Sequence, residues 1–272
     1  MARVTVTEFT DPYSTWCWGA EPVVRRLQEV YRDQLRLEYV MGGLAADFSN
    51  FHDPANEGDW TEEVVPHWLS ASDRHGMPVD VSVWEETPPT SSYPANLAYE
   101  AAALQDRTLA HEYLRRLREA AAAVVRPLDR EDELVDLAES VGLDANRFRV
   151  ALDDGSAQEA FDADLRLKRE HGVTALPTFL VEVDGETELL RGYRPFASFE
   201  KLLTEFADDL QEHEPRPLAA FVDQSTGHVA TQEVATVYGL TTDEAFDQLR
   251  SLADEGTVEP VEVGTGYLWK ST

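Results

Sequence analysis

The N-terminal part of the chain carries apolar positions in the pattern of a strand, a helix and a second strand. Alternating apolar and polar residues over 4–9 predict a short strand. The apolar residues of 22–31 fall on one helical face, and residues 35–39 alternate again until the glycine pair 42–43. Two strands joined by a helix predict a parallel βαβ unit.

The middle of the chain changes to helical spacing. Leucine and alanine recur at intervals of three and four residues, and breakers such as Gly76-Met77-Pro78 divide successive segments. The predicted helices cover residues 61–74, 93–105, 108–125, 130–141 and 156–170. Apolar runs at 178–183 and 188–190, separated by Asp184-Gly185, then predict a hairpin, and a helix follows over 198–210.

The C-terminal part of the chain has the pattern of a separate small unit. The stretch 212–217 has the composition of a linker, so we predict domains over residues 1–212 and 218–272. Three helices and one hairpin are predicted beyond the linker, at 218–224, 231–238, 241–255 and 258–269. This succession is typical of a winged-helix-like domain.

The charge balance changes the picture of the surface. The 272 residues include 52 acidic against 23 basic residues, a net charge of −29, and only three of the cations are lysine. Because the acid is spread along the whole chain, we interpret it as a salt-adapted, halophilic surface on which dissolved salt screens self-repulsion. The alternative is an acidic face for a basic partner. Either way, no basic stripe is present for nucleic-acid phosphates, and we expect no nucleic-acid partner.

Cysteine content and hydropathy indicate the compartment. The chain has one cysteine, so it forms no internal disulfide, as expected in a reducing compartment. Residues 1–20 lack the pattern of a secretory signal, and no apolar run reaches the length of a membrane span. We therefore expect a cytoplasmic protein with no membrane partner.

The segment between the first strand and the first helix carries the candidate chemistry. It contains Ser14-Thr15-Trp16-Cys17, placed where a thioredoxin-type protein has Cys-x-x-Cys. In such a site the first thiol ionises at the helix N-terminus and attacks, and the second resolves the mixed disulfide. The hydroxyl of Ser14 cannot replace that thiolate. Cys17 then has two interpretations: a single thiol that pairs with a partner, or an inert buried thiol.

Several further segments resemble the DsbA family of thioredoxin-fold proteins, in particular its cytosolic, FrnE-like branch. The matching residues are Asp11–Gly19 with Glu21-Pro22, Gly42-Gly43, Trp68 with Gly76-Met77-Pro78, Ser91–Asn96 and Val173–Phe179. The resemblance implies an α/β thioredoxin fold with a helical domain inserted at about 55–172. It also implies that Ser14 and Cys17 occupy the active-site positions and that Pro177 is the cis-proline, although an average X-Pro bond is trans.

A polypeptide groove follows from the same resemblance. Leu176, Pro177 and Thr178 are expected to offer an edge that pairs with an extended peptide. Trp16 and Trp18 are expected to form the apolar rim of that groove. We predict no cofactor and no metal site, because the seven histidines lack ligand spacing.

Three functions fit these features. The first is a thiol–disulfide oxidoreductase-family protein with a degenerate site that binds extended polypeptide through Cys17 and its surroundings. The second is a non-catalytic adaptor that holds a client protein, because bacterial adaptors of the ClpXP protease share the plan of a DsbA-like domain followed by a winged-helix-like one. The third is an enzyme similar to kappa-class glutathione transferases. The oligomeric state stays open.

Overall fold

The computed structural model describes residues 3–51, 60–86, 88–207 and 209–272. The predicted start of the helical insertion, at residue 55, lies outside these residues. No helix in the described ranges combines the length and the apolarity that a membrane crossing requires.

A four-stranded sheet forms the centre of the N-terminal part. Its strands are β1 (Val4–Thr10), β2 (Leu35–Met41), β3 (Thr178–Val183) and β4 (Glu186–Arg191), in the order β2-β1-β3-β4. β1 is parallel to β2, and this confirms the predicted βαβ unit. β3 is antiparallel to both of its neighbours, and Asp184, with a φ of 50°, turns the chain between β3 and β4.

Helices cover both faces of this sheet. On one face lie α1 (Thr15–Tyr31) and α9 (Phe196–Phe206), whose apolar side chains pack with the valines of β1 in a continuous core. On the other face Phe9 packs with Val40 and Val173 in a smaller cluster. Both faces of β1 are thus covered by other elements. For this reason even its threonines, which alternate with the valines, are only half exposed.

The inserted residues between β2 and β3 are helical throughout most of their length. The helices are α2 (Trp60–His75), α3 (Ser82–Glu86), α4 (Tyr93–Ala103), α5 (Arg107–Glu119), α6 (Glu131–Ser140), α7 (Ala145–Asp153) and α8 (Ser156–Glu170). The helix predicted over 108–125 is one continuous element, but its last turn, Ala120–Val124, widens to π-helical spacing. α7 was not predicted. α3 was not predicted either, and it lies between the helices predicted over 61–74 and 93–105.

The C-terminal part contains three helices and a three-stranded antiparallel sheet. Its elements are α10 (Leu218–Asp223), β5 (Val229–Ala230), α11 (Thr231–Tyr238), α12 (Thr242–Asp254), β6 (Val258–Val263) and β7 (Gly266–Ser271). This part has a separate apolar core, in which Trp269 is fully buried. The indole N–H of Trp269 donates to Thr231 Oγ1 at 2.9 Å. The predicted cap of α12 is confirmed, since Thr241 Oγ1 accepts from Glu244 N–H at 3.3 Å.

This C-terminal part packs directly on α1, so its connection to the rest of the chain is more than the linker alone. The Arg25 guanidinium lies 2.6 Å from the Glu233 carboxylate, and Arg26 Nη1 donates to Thr236 O at 2.8 Å. The linker runs along the same helix, where His213 N–H donates to Val30 O at 2.9 Å. α1 therefore contacts the central sheet with one side and α11 with another.

The turn between β6 and β7 makes a second contact, with the loop that follows α2. Thr265 N–H donates to Val79 O, and Val79 N–H donates to Thr265 Oγ1, both at 3.0 Å. Gly264 has a positive φ of 35°, and a Cβ there would overlap the Val79 carbonyl. Only glycine allows the backbone to approach this closely.

A cluster of buried charges joins these parts of the molecule. Arg118 of α5 is fully buried and donates to Glu8 of β1 at 2.7 Å, to Glu21 of α1 and to Thr10 Oγ1. One turn earlier on α5, Arg115 lies 3.2 Å from Glu233 of α11. Two arginines of one helix thus connect the sheet, α1 and the C-terminal part.

The cluster also includes His228 and Glu119. Arg115 Nη2 donates to the His228 carbonyl at 2.7 Å, and the His228 N–H donates to Glu119 at 3.0 Å. Burial acts to raise the pKa of Glu119, but the hydrogen bond from His228 and the charges of Arg115 and Arg116 hold that pKa at about 2. Glu119 therefore stays ionised, and its stabilising contribution is lost only as the pH falls through that value.

We predict that Arg118→Met destabilises the protein by about 3–5 kcal/mol, because it removes the cation of the buried Glu8 carboxylate and leaves Glu21 paired with Arg115 alone, at 3.8 Å. Chemical unfolding in concentrated KCl at pH 7 measures this loss. The loss should shrink towards pH 5, since protonation of the two carboxylates relieves the uncompensated charge.

Arg107→Met is the matched control. Arg107 lies on the same helix and is ion-paired with Glu38 at 2.9 Å, but its side chain is 71% exposed. Its loss should cost at most about 1 kcal/mol. Equal effects of the two substitutions would contradict the role given to the buried cluster.

Candidate functional site

The turn before α1 is built by hydrogen bonds from its own residues. Asp11 Oδ1 accepts from Tyr13 N–H at 2.9 Å, and the Asp11 carbonyl accepts from Ser14 N–H at 3.1 Å. Ser14 has extended backbone angles and is the N-cap of α1, where its Oγ accepts from Cys17 N–H at 3.3 Å. The hydroxyl thus satisfies one of the free N–H groups at the start of the helix.

The carboxylate of Asp11 holds this turn against the inserted helices. It is fully buried, and its Oδ2 accepts from Leu44 N–H at 2.7 Å and from Ser92 Oγ and Asn96 Nδ2 at 2.8 Å each. Burial raises the pKa of Asp11 even though these donors favour the charged form. Sequence reasoning named Asp11 and the 91–96 segment only as matching residues. Their shared hydrogen bonds explain why the two segments occur together.

Cys17 is completely buried one turn into α1. Burial raises the pKa of its thiol to about 12, and the nearby Glu8 carboxylate adds to this, while Arg118 acts in the opposite direction. A thiol in this environment is protonated at neutral pH and is not accessible to a partner. Of the two interpretations of Cys17, the geometry favours the inert buried thiol.

Pro177 lies at the start of β3, beside the end of β1. The Leu176–Pro177 peptide bond is cis. Phe9 and Thr178 are register partners, so the 176–178 segment flanks the point where the chain leaves β1 for Ser14. The Pro177 carbonyl accepts from Gly192 N–H at 2.8 Å, and the Leu176 side chain packs against Gly42. The structure therefore brings the predicted serine and proline segments to the same end of the sheet.

The backbone of Leu176 is open. Within the described residues, neither its N–H nor its carbonyl takes part in a hydrogen bond, whereas the neighbouring Ala175 carbonyl accepts from Thr178 Oγ1 at 2.8 Å. Thr174 and Ala175 are exposed and Leu176 is half-buried. An extended chain passing here would find one free donor and one free acceptor.

The two tryptophans of the motif have different surroundings. Trp16 is partly exposed, and its ring lies 6.2 Å from Tyr193 and 5.8 Å from His75, with the Arg74 guanidinium 6.0 Å from its centre. Trp16 therefore contributes apolar surface beside the start of α1, and its place at the rim of a groove stays a prediction.

Trp18 does not line a surface, and the prediction for it is wrong. Its ring is fully buried beneath Arg115, and its indole N–H donates to Pro78 O at 2.8 Å. Residues two apart on an α-helix differ by about 200° in direction, so Trp16 and Trp18 cannot share one rim.

His75 covers the start of α1, and the sequence analysis did not predict its place in the site. It is 2% exposed and packs directly over Gly19, where a Cβ would overlap its ring. Burial lowers its pKa to about 4, so the imidazole is neutral. Nδ1 accepts from Met77 N–H at 3.1 Å, which places the proton on Nε2, 3.5 Å from Thr15 Oγ1. The only available signal was Gly19 inside a helical pattern.

The described residues contain no group of three or more histidine, cysteine or carboxylate side chains arranged to hold a metal ion. The candidate site thus consists of the capped start of α1, the buried thiol of Cys17, the partly exposed ring of Trp16 with its aromatic neighbours, and the unpaired backbone of Leu176.

Comparison with known proteins places these features in a family. The model of the family described as Thioredoxin matches residues 8–201. Cytosolic disulfide reductase DsbM from Pseudomonas aeruginosa has a similar structure, with a TM-score of 0.61, 24% identity, and coverage of 75% of this chain and 100% of its own. 2-Hydroxychromene-2-carboxylate isomerase is also similar, with a TM-score of 0.56, 16% identity, and coverage of 75% and 98%. These structures confirm the predicted fold and carry no conclusion about activity.

Two curated relatives match along nearly the whole chain. The ClpXP adapter protein SpxH of Halalkalibacterium halodurans is 30% identical over 96% of this chain and 87% of its own length. The protein of the same name from Bacillus subtilis is 29% identical over 97% and 87%. Their match extends past residue 201, where the family model ends, into the C-terminal part. The chain therefore belongs to the thioredoxin family and, within it, to the family of the ClpXP adapter proteins SpxH.

Proposed function

We propose that this protein is a cytosolic member of the thiol–disulfide oxidoreductase family whose degenerate site binds extended polypeptide without exchanging disulfides. The observation that carries the proposal is the burial of Cys17 behind a helix end that Ser14 caps. A dithiol exchange needs an exposed thiolate at position 14 and a second sulfur to release it. The site has no thiol at position 14, and its one sulfur, that of Cys17, is buried. The Leu176 edge nevertheless remains available beside it.

The second candidate is the adaptor function, and a separate observation favours it. The SpxH relatives match the C-terminal part as well as the thioredoxin-fold part. We infer domains over 1–212 and 218–272, with Ser14, Trp16 and the Leu176 backbone beside Pro177 forming the client groove. The Thr178 side chain is fully buried and donates to the Ala175 carbonyl, so the prediction that it contacts a client is wrong. The 218–272 domain, winged-helix-like in its succession of elements, would engage a second protein. The Arg25–Glu233 and Arg115–Glu233 pairs would hold the two domains at a fixed angle.

Salt adaptation belongs to the same proposal. A net charge of −29 keeps a protein dispersed where other surfaces would aggregate, but it destabilises the folded state in dilute buffer. Measurements of the stability of the purified protein therefore require concentrated KCl.

We predict that iodoacetamide alkylates Cys17 of the folded protein at least about 1,000-fold more slowly at pH 8 than in the denatured chain, whose thiol has an ordinary pKa of about 8.5. Because this is the single cysteine, mass spectrometry reports its labelling without ambiguity. The rate in the folded protein should still be rising at pH 10. A rate that levels off between pH 7 and 8 would contradict the buried thiol.

We predict that the wild-type protein does not accelerate insulin reduction by dithiothreitol and that Ser14→Cys does. The new thiol would stand at the positive end of α1, where its thiolate is stabilised, and it could form a disulfide with Cys17. Ser14→Cys combined with Cys17→Ala should be inactive. Wild-type activity equal to that of the variant would overturn the non-catalytic assignment.

We predict that deletion of the gene slows the turnover of a small set of proteins several-fold, as expected when an adaptor for proteolysis is lost. Pulse-chase proteomics in the native host measures the half-lives. Reintroduced Cys17→Ala should restore turnover, whereas Glu233→Gln, which weakens the contact between the domains, should restore it only in part. If no protein changes its half-life, the adaptor candidate fails; if Cys17→Ala cannot restore turnover, the thiol is part of the function.

A further inference from the structure

The segments that meet around the open Leu176 edge contain no acidic residues. Residues 12–20, 171–181 and 189–199 include no aspartate or glutamate, although at the chain's average of 52 in 272 about six would be expected. Part of this absence reflects burial. The exposed positions of these segments are nevertheless also free of acid: Gly172, Thr174, Ala175, Arg191, Arg194, Pro195 and Ala197. On a surface otherwise dominated by carboxylates, this patch is an exception.

The loop after β4 brings these segments together. Gly192 N–H donates to Pro177 O at 2.8 Å, and the next residue, Tyr193, has its ring 6.2 Å from that of Trp16. The 191–194 stretch thus crosses from the strand edge to the start of α1 directly beside the open edge. We call the surface formed by Trp16, Arg74, Leu176, Arg191, Tyr193 and Arg194 the basic-aromatic patch.

The cations of this patch are available for a partner. Across the described chain, Arg74, Arg191 and Arg194 form no ion pair, whereas Arg3, Arg36, Arg107 and Arg130 do. Arg74 lies over Trp16, and Arg191 makes only a long hydrogen bond of 3.5 Å to Gly172 O. Asp73 is the acidic neighbour of Arg74 in sequence and is exposed at the border of the patch.

We propose that the basic-aromatic patch binds an acidic, extended polypeptide segment of the client, with Arg191 and Arg194 pairing with its carboxylates. The proposal rests on the polypeptide-binding function proposed above and specifies the chemistry of the partner. The free N–H and carbonyl of Leu176 pair with a polypeptide backbone, which a nucleic acid lacks. Planar guanidinium groups form bidentate contacts with carboxylates, and such short contacts persist better in salt than long-range attraction does.

The acidic character of the partner also follows from charge repulsion. A net charge of −29 repels an acidic segment from most of this surface. At a patch without carboxylates and with unpaired arginines, such a segment meets attraction instead. The same arrangement specifies where on the molecule, and in which orientation, the segment binds.

Fluorescence anisotropy with three labelled ten-residue peptides tests the proposal. The peptides share alternate valines and carry glutamate, glutamine or lysine at the remaining positions. In 0.5 M KCl we expect the glutamate peptide to bind about tenfold more tightly than the glutamine peptide, as two surface ion pairs allow. This difference should shrink in 3 M KCl, and circular dichroism confirms folding at each salt concentration.

Two double variants locate the effect. Arg191→Gln with Arg194→Gln should bind the glutamate and glutamine peptides equally. Arg147→Gln with Arg250→Gln is the matched control, because it removes the same charge from exposed, unpaired positions of α7 and α12. The control should keep the full preference for glutamate.

Each other outcome overturns a definite statement. Equal binding of the three peptides to the wild type, or equal effects of the two double variants, overturns the acidic partner while leaving the polypeptide groove intact. Failure of every peptide to bind overturns the groove itself. Competition by a ten-nucleotide thymidine oligomer as effective as that by the glutamate peptide would assign the patch to nucleic acid. A dimer that dissociates only in Arg191→Gln with Arg194→Gln would assign it to a second copy of the chain.

Discussion

The pairing of buried arginines with buried carboxylates is the constraint on which the arrangement of this molecule depends. Arg118 and Arg115 extend from one face of α5 into the buried interior, where an unpaired charge would cost several kcal/mol. Each therefore needs its partners in place: Glu8 and Glu21 for the first, Glu119 and Glu233 for the second. Those partners belong to four different elements, so the sheet, α1, the inserted helices and the C-terminal part are fixed together.

The same cluster suits an acidic protein in salt. Surface ion pairs are screened when the Debye length falls to about 3 Å at 1 M salt, but charges that exclude water are screened much less. Ion pairs of the exposed arginines therefore contribute less in concentrated salt than they would in dilute buffer. The buried ion pairs of Arg115 and Arg118 are screened much less, and they connect the thioredoxin-fold part to the C-terminal part.

The sequence predicted most of the fold because the strong periodic segments decide it. The strands other than β5 lie close to their predicted positions, as do α1, α2, α4, α5, α6, α8 and the C-terminal helices. α7 was missed because only Phe148 and Ala151 of its nine residues are buried, too few for a clear helical period. β5 has two residues and exists through its pairing with β7, which a local pattern does not contain.

The site was predicted in part, for equally physical reasons. The segments of Ser14 and Pro177 have strong local sequence signatures, and for this reason their position at the same end of the sheet could be predicted. The burial of Cys17 and of Arg118 depends on tertiary contacts that the local sequence does not encode. One signal was available: Glu8 shares the inward register of Val4 and Val6, and a carboxylate on that face requires a buried cation. The register indicates that a partner exists, but it does not indicate which arginine, 110 residues away, supplies it.

A hydroxyl at the head of α1 has one more consequence. Ser14 holds its hydrogen bond to the Cys17 amide whatever the ratio of oxidised to reduced glutathione in the cell, and the sole sulfhydryl lies out of reach of peroxide. Because a disulfide needs two sulfurs and the chain has one cysteine, the shape of this helix end is the same under oxidising and reducing conditions.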